Sequence, residues 1–277
     1  MINIIINKIN KMTSSNTLKH VNQKVSLIDF MGSDQTVANA ARVSFGKHKE
    51  AASYELLNLN GNIRTIRIVD DSDKKLIKFL AKENHWSPFG HVTIQFRIKA
   101  PFFVARQLGK HQVGLVWNEI SRRYVDYEPE FYLPKEWRKR APNKKQGSLE
   151  DVIIYEDIEE ITKNTLSKYN ELIKNDIAPE MARMVLPLNT HTEWYWTGTL
   201  YAFARVCNLR LKPDAQKETR EVANMISEEC KRIFPESWKC LMSSYNDLEK
   251  DINDNKDYGQ KKPSSSNCSD EKRQKVQ

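Results

Sequence analysis

Cysteine is scarce in this sequence, and its few cysteines form no known pattern. None of Cys207, Cys230, Cys240 and Cys268 belongs to a CxxC pair or has a histidine at metal-ligand spacing. We therefore expect no disulfide framework, no zinc site and no other bound metal. Cys207 and Cys230 fall at apolar positions of helical patterns, which favours small buried side chains over nucleophiles.

Long apolar runs are also missing. No stretch approaches the roughly 18 consecutive apolar residues of a membrane helix, and the run Ile4–Ile6 is flanked by Asn3 and Asn7. The hydrophobic share is 39% of 277 residues, which is enough to form a core. These features predict a soluble, cytoplasmic globular protein with no secretion signal and no membrane partner.

The chain has no internal repeat and no Gly/Ser linker, which favours a single domain. Residues 1–22 are rich in Asn, Lys, Ser and Ile without a clear period, and the segment from 247 onwards is polar. We expect a domain over residues 23–246, preceded by a flexible extension (1–22) and followed by a disordered tail (247–277).

The formal net charge of +8 raises the possibility of nucleic-acid binding. Much of the excess lies in one segment, 135–146, where Glu136 is the single acidic residue. The basic residues there are Lys135, Arg138, Lys139, Arg140, Lys144 and Lys145. This concentration indicates one exposed basic loop. We expect no nucleic-acid partner; the rival hypothesis, a nucleic-acid binder that uses this loop, predicts steeply salt-dependent association.

Helical patterns outnumber strands. Alternation of apolar and polar residues predicts a strand from Val92 to Lys99 with one buried face, and Val25–Phe30 is a shorter candidate. Apolar spacing and start signals predict helices over Val37–Val43, Ser72–Lys82, Phe102–Lys110, Ser148–Leu172, Gly198–Leu209 and Pro213–Cys230. The fold class is therefore α+β, with a mixed or antiparallel sheet and several long helices.

Three segments concentrate polar residues among apolar ones, as active sites often do. The first runs from His85 to His91 around a Pro turn, where capping of backbone groups is as plausible as catalysis. The second runs from Ala105 to Tyr124 and is rich in hydrogen-bond donors around a single acceptor, Glu119. Such a mixture suits a phosphorylated ligand, although a cation-stabilised helix end with Glu119 paired to an arginine explains it equally well.

The third segment is split between Glu180–Pro187 and Asn208–Arg220. Arg183 lies in an apolar turn and so requires a buried anion or carboxylate, and Arg210 falls at a helix end. Salt bridges to Glu180 or Glu218 are the competing interpretation for both arginines.

Together, in this order, the three segments resemble the signature of flavin-dependent thymidylate synthases, the ThyX family. The resemblance covers about Val25 to Lys239 and is specific in three blocks, Asn118–Tyr124, Ala182–Pro187 and Leu209–Gln216. It implies the family's α+β fold and reductive methylation of dUMP to dTMP, with methylenetetrahydrofolate as carbon donor and NADPH-reduced FAD. It also implies a homotetramer whose active sites combine residues from several subunits.

The resemblance also assigns residues. It makes Arg210 the catalytic residue, which favours ionisation of the uracil N3 because a guanidinium stays charged and stabilises the anion. The residues implied at dUMP are Gln107, Lys110, Glu119, Ile120, Ser121, Arg122, Arg123, Arg183 and Arg210. Those implied at FAD are Ser87, Lys110, His111, Gln112, Glu119, Thr199, Tyr201, Arg205 and His85, with Ser44 a further candidate.

The sequence departs from the family pattern at Thr199, Tyr201 and Arg205, where the family often has Asn or Arg, and at one motif. Lys110-His111-Gln112, followed by eight residues before Ser121, stands where the family has Arg-His-Arg and a seven-residue spacing. A lysine can still neutralise a phosphate but lacks the bidentate fork, and Gln112 carries no charge. An inactive relative is therefore one alternative.

The other enzymatic alternative is a cysteine-dependent thymidylate synthase. It is disfavoured because the chain has no Pro-Cys-His segment.

Overall fold

The computed structural model describes residues 18–59, 61–125, 127–142, 147–153 and 158–243. The predicted tail 247–277 lies outside these residues, as do positions 1–17 of the predicted extension and 143–146 of the basic segment. The prediction that this segment is one exposed loop is wrong, because Trp137–Arg140 form a strand and Arg138 pairs with Glu218. In the described ranges, no helix is both long enough and apolar enough to cross a membrane.

A four-stranded antiparallel sheet forms the centre of the fold. Its strands are β1 (Lys24–Met31), β4 (Thr93–Pro101), β5 (Leu115–Glu119) and β8 (His191–Thr199), in the order β1-β4-β8-β5. Two hairpins complete the strands: β2 (Ser53–Leu59) with β3 (Asn62–Ile68), and β6 (Trp137–Arg140) with β7 (Ser148–Ile153). The predicted α+β class with an antiparallel sheet is confirmed.

Seven helices have assigned bounds within the described residues. They are α1 (Asp34–Arg42), α2 (Asp71–Lys82), α3 (Phe102–Leu108), α4 (Ile158–Lys174), α5 (Pro179–Ala182), α6 (Leu200–Arg210) and α7 (Lys217–Ile233). Residues 235–243 are also helical, and short 3-10 turns occupy Val43–Phe45, Ser87–His91 and Arg183–Val185.

The core forms where the sheet meets α6 and α7. Ile94, Phe96 and Ile98 of β4 are fully buried, as their alternation predicts. Phe96 meets Phe203 of α6 edge-on at 5.1 Å between ring centroids, and Trp196 of β8 meets the same ring at 5.4 Å. Such aromatic contacts bury large apolar areas with defined geometry. They fix α6, and with it the predicted catalytic arginine, against the sheet.

Three sequence-based boundaries are wrong. Ser148 begins a strand and not a helix, because β7 pairs with β6 and the Ser148 hydroxyl accepts a bond from Arg138 Nε at 2.8 Å. Pro213 does not open a helix, since its carbonyl accepts from Arg220 Nη1 at 2.9 Å and α7 begins at Lys217. Gly198 belongs to β8.

The place of Gly198 follows from a close approach between two strands of the sheet. A Cβ at this position would collide with Leu115 Cδ2 and lie 2.7 Å from the Gly114 carbonyl oxygen. Real Cβ atoms do not approach other atoms so closely, so only glycine lets β5 and the turn before it lie against β8.

Candidate active site

A turn between α3 and β5 carries the Lys110-His111-Gln112 motif. The helix ends at Leu108 with Gly109 as its cap, two residues before the predicted end at Lys110, and His111 N donates to Leu108 O at 3.0 Å. The turn closes at Gly114, whose φ of +75° favours glycine. Gly114 O accepts from Thr199 N at 3.2 Å, which places the motif beside the start of α6.

The turn borders a cleft of about 580 Å³, here called the turn cleft. Its lining comprises Phe102, Ala105, Arg106, Gly109, Lys110, His111, Gln112, Leu115, Trp117, Glu119 and Leu188. Four of the predicted site residues, Lys110, His111, Gln112 and Glu119, thus come together. Lys110 and Gln112 are exposed at its surface, so their polar ends can reach a ligand.

Glu119 is held by neutral donors. Thr192 Oγ1 donates to one carboxylate oxygen at 2.6 Å, and Trp117 Nε1 donates to the other at 3.1 Å. No arginine pairs with it in the described ranges, so the predicted alternative of an ion pair with an arginine is wrong. The carboxylate is thus oriented but not neutralised, and it can accept a bond from a ligand.

Arg210 is half-buried at the end of α6. Its Nε donates to His111 Nε2 at 3.0 Å, and its Nη2 donates to the carbonyl oxygen of Gln107 at 3.3 Å. The expected alternative, a salt bridge from Arg210 to Glu218, is wrong, because Glu218 pairs with Arg138 at 2.8 Å. Burial lowers the pKa of the guanidinium, which nevertheless stays charged at neutral pH.

Arg210 faces a second cleft of about 590 Å³, here called the arginine cleft. It is lined by Gln107, Arg138, Gly147, Ser148, Leu209, Arg210, Lys212, Asp214, Ala215 and Gln216. The Gln107 amide is fixed within it, since Oε1 accepts from Thr219 Oγ1 at 3.1 Å and Nε2 bonds to Gln216. Two predicted dUMP residues, Gln107 and Arg210, therefore share one cleft.

His111 connects the two clefts, since it lines the turn cleft and bonds to Arg210. Burial, together with the charges of Arg210 and Arg205, lowers the pKa of His111 to about 4. The imidazole is therefore neutral at pH 7. Arg205 is exposed on α6.

A third cleft of about 690 Å³, the aromatic cleft, lies between α1, α2 and the turn Ser87–His91. Its lining includes Phe45, Phe79 and Trp86 together with Ser44, His85 and Ser87. The His85 ring packs edge-on against Phe79 at 5.8 Å. Three predicted residues, Ser44, His85 and Ser87, are thus brought together between aromatic walls.

Two further predicted residues lie at the start of α6. The Tyr201 hydroxyl donates to Asn84 Oδ1 at 3.1 Å, and its ring lies 6.1 Å from that of Trp86, which places it beside the aromatic cleft. Thr199 caps α6 by accepting from Ala202 N at 3.2 Å.

The segment after β5 stands apart from the three clefts. Ile120 N donates to Glu193 O at 2.9 Å, and Arg123 Nε donates to Ser121 Oγ at 3.2 Å while the Arg123 side chain is exposed. Arg122 is 5% exposed and donates to Tyr127 O at 2.6 Å, so its guanidinium is engaged within the chain. Contact of these residues with dUMP stays a prediction.

Arg183 is exposed. Its Nε donates to the carbonyl oxygen of Glu180 at 3.3 Å, and neighbouring Met181 and Met184 are 52% and 70% exposed. The expected buried partner, and the salt bridge to the Glu180 carboxylate, are therefore both wrong. Apolar residues in this turn face outward, which the apolar sequence around Arg183 does not reveal.

Sequence reasoning missed Trp117, Thr192 and Thr219 as supports of the site. Thr192 lies on β8, which was not predicted as a strand, so nothing linked it to Glu119 across the sheet. Cys207 and Cys230 are fully buried, as predicted, and burial raises the pKa of both thiols, so neither is a nucleophile.

Comparisons with known proteins agree on one family. A family model described as thymidylate synthase complementing protein matches residues 26–236. The chain is 38% identical over 218 residues to a flavin-dependent thymidylate synthase of Thermus thermophilus, covering 77% of the chain and 73% of the relative. A protein of the same name from Treponema pallidum is 34% identical over 236 residues, covering 82% and 70%.

A solved structure supports the same conclusion. The UMP/dUMP methylase PolB from Streptomyces cacaoi, bound with 5-Br dUMP, is similar with a TM-score of 0.66 and 26% identity. The similarity covers 82% of this chain and 97% of that one.

Proposed function

The chain belongs to the family of flavin-dependent thymidylate synthases, and we propose on this premise that it methylates dUMP to dTMP, with Arg210 as the catalytic residue. The observation that carries this assignment is the fixed, half-buried guanidinium of Arg210 in the arginine cleft. A preoriented cation stabilises negative charge as it develops, here at N3 of the uracil ring.

The remaining reactants follow from the family and form part of the proposal. Methylenetetrahydrofolate is the carbon donor, NADPH is the reductant, and the reaction takes place in the cytoplasm. Gln107 and Arg210 bind the nucleotide in the arginine cleft, and Lys110, at the border of the turn cleft, offers a positive charge for a phosphate.

The residues present fit a flavin cofactor. Lys110 and Gln112 offer exposed donors, and Glu119 offers an oriented acceptor. Phe79 and Trp86 give the aromatic cleft the flat apolar walls that suit an aromatic ring. A bound FAD supplies the reducing chemistry, while the protein side chains bind and orient it.

A homotetramer is also proposed, because the predicted dUMP residues are divided on a single chain. Arg123 and Arg183 are exposed and line none of the three clefts described above. Met181, Met184 and Leu188 add exposed apolar surface around Arg183, as at sites of subunit contact. A second copy would bring Arg123 and Arg183 to the arginine cleft.

The test combines a spectrum with a substitution. The purified protein should show flavin absorbance at roughly 370 and 450 nm that bleaches when NADPH and dUMP are added. Arg210→Ala should lower dTMP formation by about 10²-fold or more without changing the thermal unfolding curve. Arg232→Ala, which removes an exposed arginine paired with Glu229, should keep full activity. Near-normal turnover of Arg210→Ala would remove the catalytic assignment.

A further inference from the structure

We propose that His111 is a positioning residue that aims Arg210 at the nucleotide, by accepting the Nε–H bond while the imidazole is neutral. This inference rests on the proposed function of Arg210. It gives His111 a role toward the nucleotide, in addition to the flavin contact that the family resemblance implies.

The geometry defines the direction of the hydrogen bond. Arg210 Nε and His111 Nε2 are 3.0 Å apart, and an arginine Nε can only donate. His111 Nε2 must therefore be the acceptor, which requires the ring proton to reside on Nδ1. A protonated imidazole would offer a second donor and a second positive charge, and the bond would be lost.

The two tethers of Arg210 act on the same edge of the guanidinium. Nε bonds to His111, and Nη2 bonds to the carbonyl oxygen of Gln107. These two nitrogens form one side of the planar group, and Nη1 takes part in neither of the two bonds. Nη1 can therefore donate to an acceptor atom of a ligand.

The surroundings keep His111 in the accepting form. Burial and the nearby charges of Arg210 and Arg205 lower the pKa of His111 to about 4, so the bond persists at neutral pH. Gln107, the other tether, is itself fixed to α7 through Thr219 and Gln216. Arg210 is thus connected to the turn before β5 on one side and to α7 on the other.

The experiment separates the acceptor from the rest of the ring. His111→Gln retains a hydrogen-bond acceptor, whereas His111→Leu has a similar size without one. His111→Ala is a second acceptor-free variant in case the leucine disturbs folding. Each purified variant is tested for FAD affinity and, once loaded with FAD, for dUMP affinity. Both measurements are made in the native background and in Arg210→Ala.

The expected result is a coupled effect on dUMP. His111→Leu and His111→Ala should weaken dUMP binding about 10-fold, the size of one hydrogen bond to a charged group. His111→Gln should remain within about 3-fold of the native protein. In the Arg210→Ala background, His111→Leu should have almost no further effect, since residues that act as a unit are not additive.

Two outcomes would overturn the inference. An additive loss in the Arg210→Ala background would mean that His111 acts without Arg210. Equal losses of FAD affinity in all three His111 variants, with dUMP affinity unchanged at saturating FAD, would reduce His111 to a flavin contact. If the native protein bound FAD but no dUMP, the proposed function would fail instead, and that result is distinct from both.

Discussion

His191, the first residue of β8, is a buried histidine outside the three clefts. It is 4% exposed, and its backbone N donates to Glu130 O at 2.7 Å. The pKa of its imidazole is lowered to about 4, mainly by burial; Lys99 and His20 also lower it, whereas a backbone hydrogen bond with Val21 and the charge of Glu130 oppose the lowering. A histidine that must stay neutral when folded makes the folded state sensitive to acid.

The sign follows from the two pKa values. In the unfolded chain a histidine titrates near 6.5, so between pH 6.5 and 4 the unfolded state binds a proton at position 191 that the folded state does not. Its contribution to stability is complete above pH 6.5 and is lost as the pH falls. From pH 7 to pH 5, the free energy of unfolding of the native protein should fall by about 1–2 kcal/mol more than that of His191→Gln.

Urea unfolding at the two pH values would measure this difference. His48→Gln is the matched control, because His48 is largely exposed and should leave the pH dependence of the native protein unchanged. If the free energy of unfolding fell equally with pH in the native protein and in His191→Gln, His191 would not be the source of acid sensitivity.

Single residues of the site could be predicted from the sequence, but their partners could not. Arg210 and Glu119 are identified by the family resemblance, and each lines a cleft. The bond between His111 and Arg210 joins residues 99 positions apart, and no local period reports such a contact. Whether a polar residue is aimed at a ligand or at its own chain depends on packing that only the fold provides.

At the scale of elements, one ion pair fixes the β6–β7 hairpin beside the arginine cleft. Arg138 Nη2 donates to both carboxylate oxygens of Glu218 at 2.8 and 3.0 Å, and the Glu218 side chain is 4% exposed. Burial raises the pKa of Glu218, but backbone hydrogen bonding and Arg138 lower it more, so the net pKa is below the usual value. The carboxylate is therefore charged and depends on Arg138.

Removing one partner of this pair should be costly. Arg138→Met leaves a buried charge without its cation and should lower the free energy of unfolding by about 3 kcal/mol. Adding Glu218→Gln to Arg138→Met should restore much of the loss, because the uncompensated charge disappears. Urea unfolding of the three proteins gives the comparison.

An exposed pair provides the control for this experiment. Arg232 and Glu229 are 39% and 31% exposed in their side chains. Arg232→Met should therefore change stability by less than about 1 kcal/mol. If Arg138→Met cost no more than Arg232→Met, the hairpin would not be fixed by this pair.

The elements that the sequence predicted best are those with one apolar and one polar face. β4 alternates cleanly and was predicted, whereas β8 was not. In β8 the outward Tyr195 is aromatic like the buried Trp194 and Trp196, so the two faces look alike in sequence. β2 exposes most of its length, including Leu56, and therefore shows no buried period.

At the scale of the whole molecule, the proposal that subunits share active sites has a direct test. Arg183→Ala and Arg210→Ala should each be nearly inactive as pure proteins. If each site takes these two arginines from different subunits, randomly mixed tetramers should regain about a quarter of native activity. Co-expression of the two variants followed by a dTMP assay measures the recovery.

Two controls make the result interpretable. Mixing Arg210→Ala with a double variant, Arg183→Ala and Arg210→Ala, should give no recovery, because no subunit then supplies Arg210. Light scattering would show whether the assemblies are tetramers. Absence of recovery in verified mixed tetramers would place both arginines in one subunit's site.

Gly198 has a consequence for how this molecule can change over time. Because Gly198 has no Cβ, Leu115 and the Gly114 carbonyl occupy the space that a side chain would fill. A mutation that adds one carbon there would displace the loop bearing Lys110 and His111, although Gly198 lines none of the three clefts. A substitution in the sheet at position 198 would therefore impair catalysis through this loop. Selection for activity should retain glycine at this position.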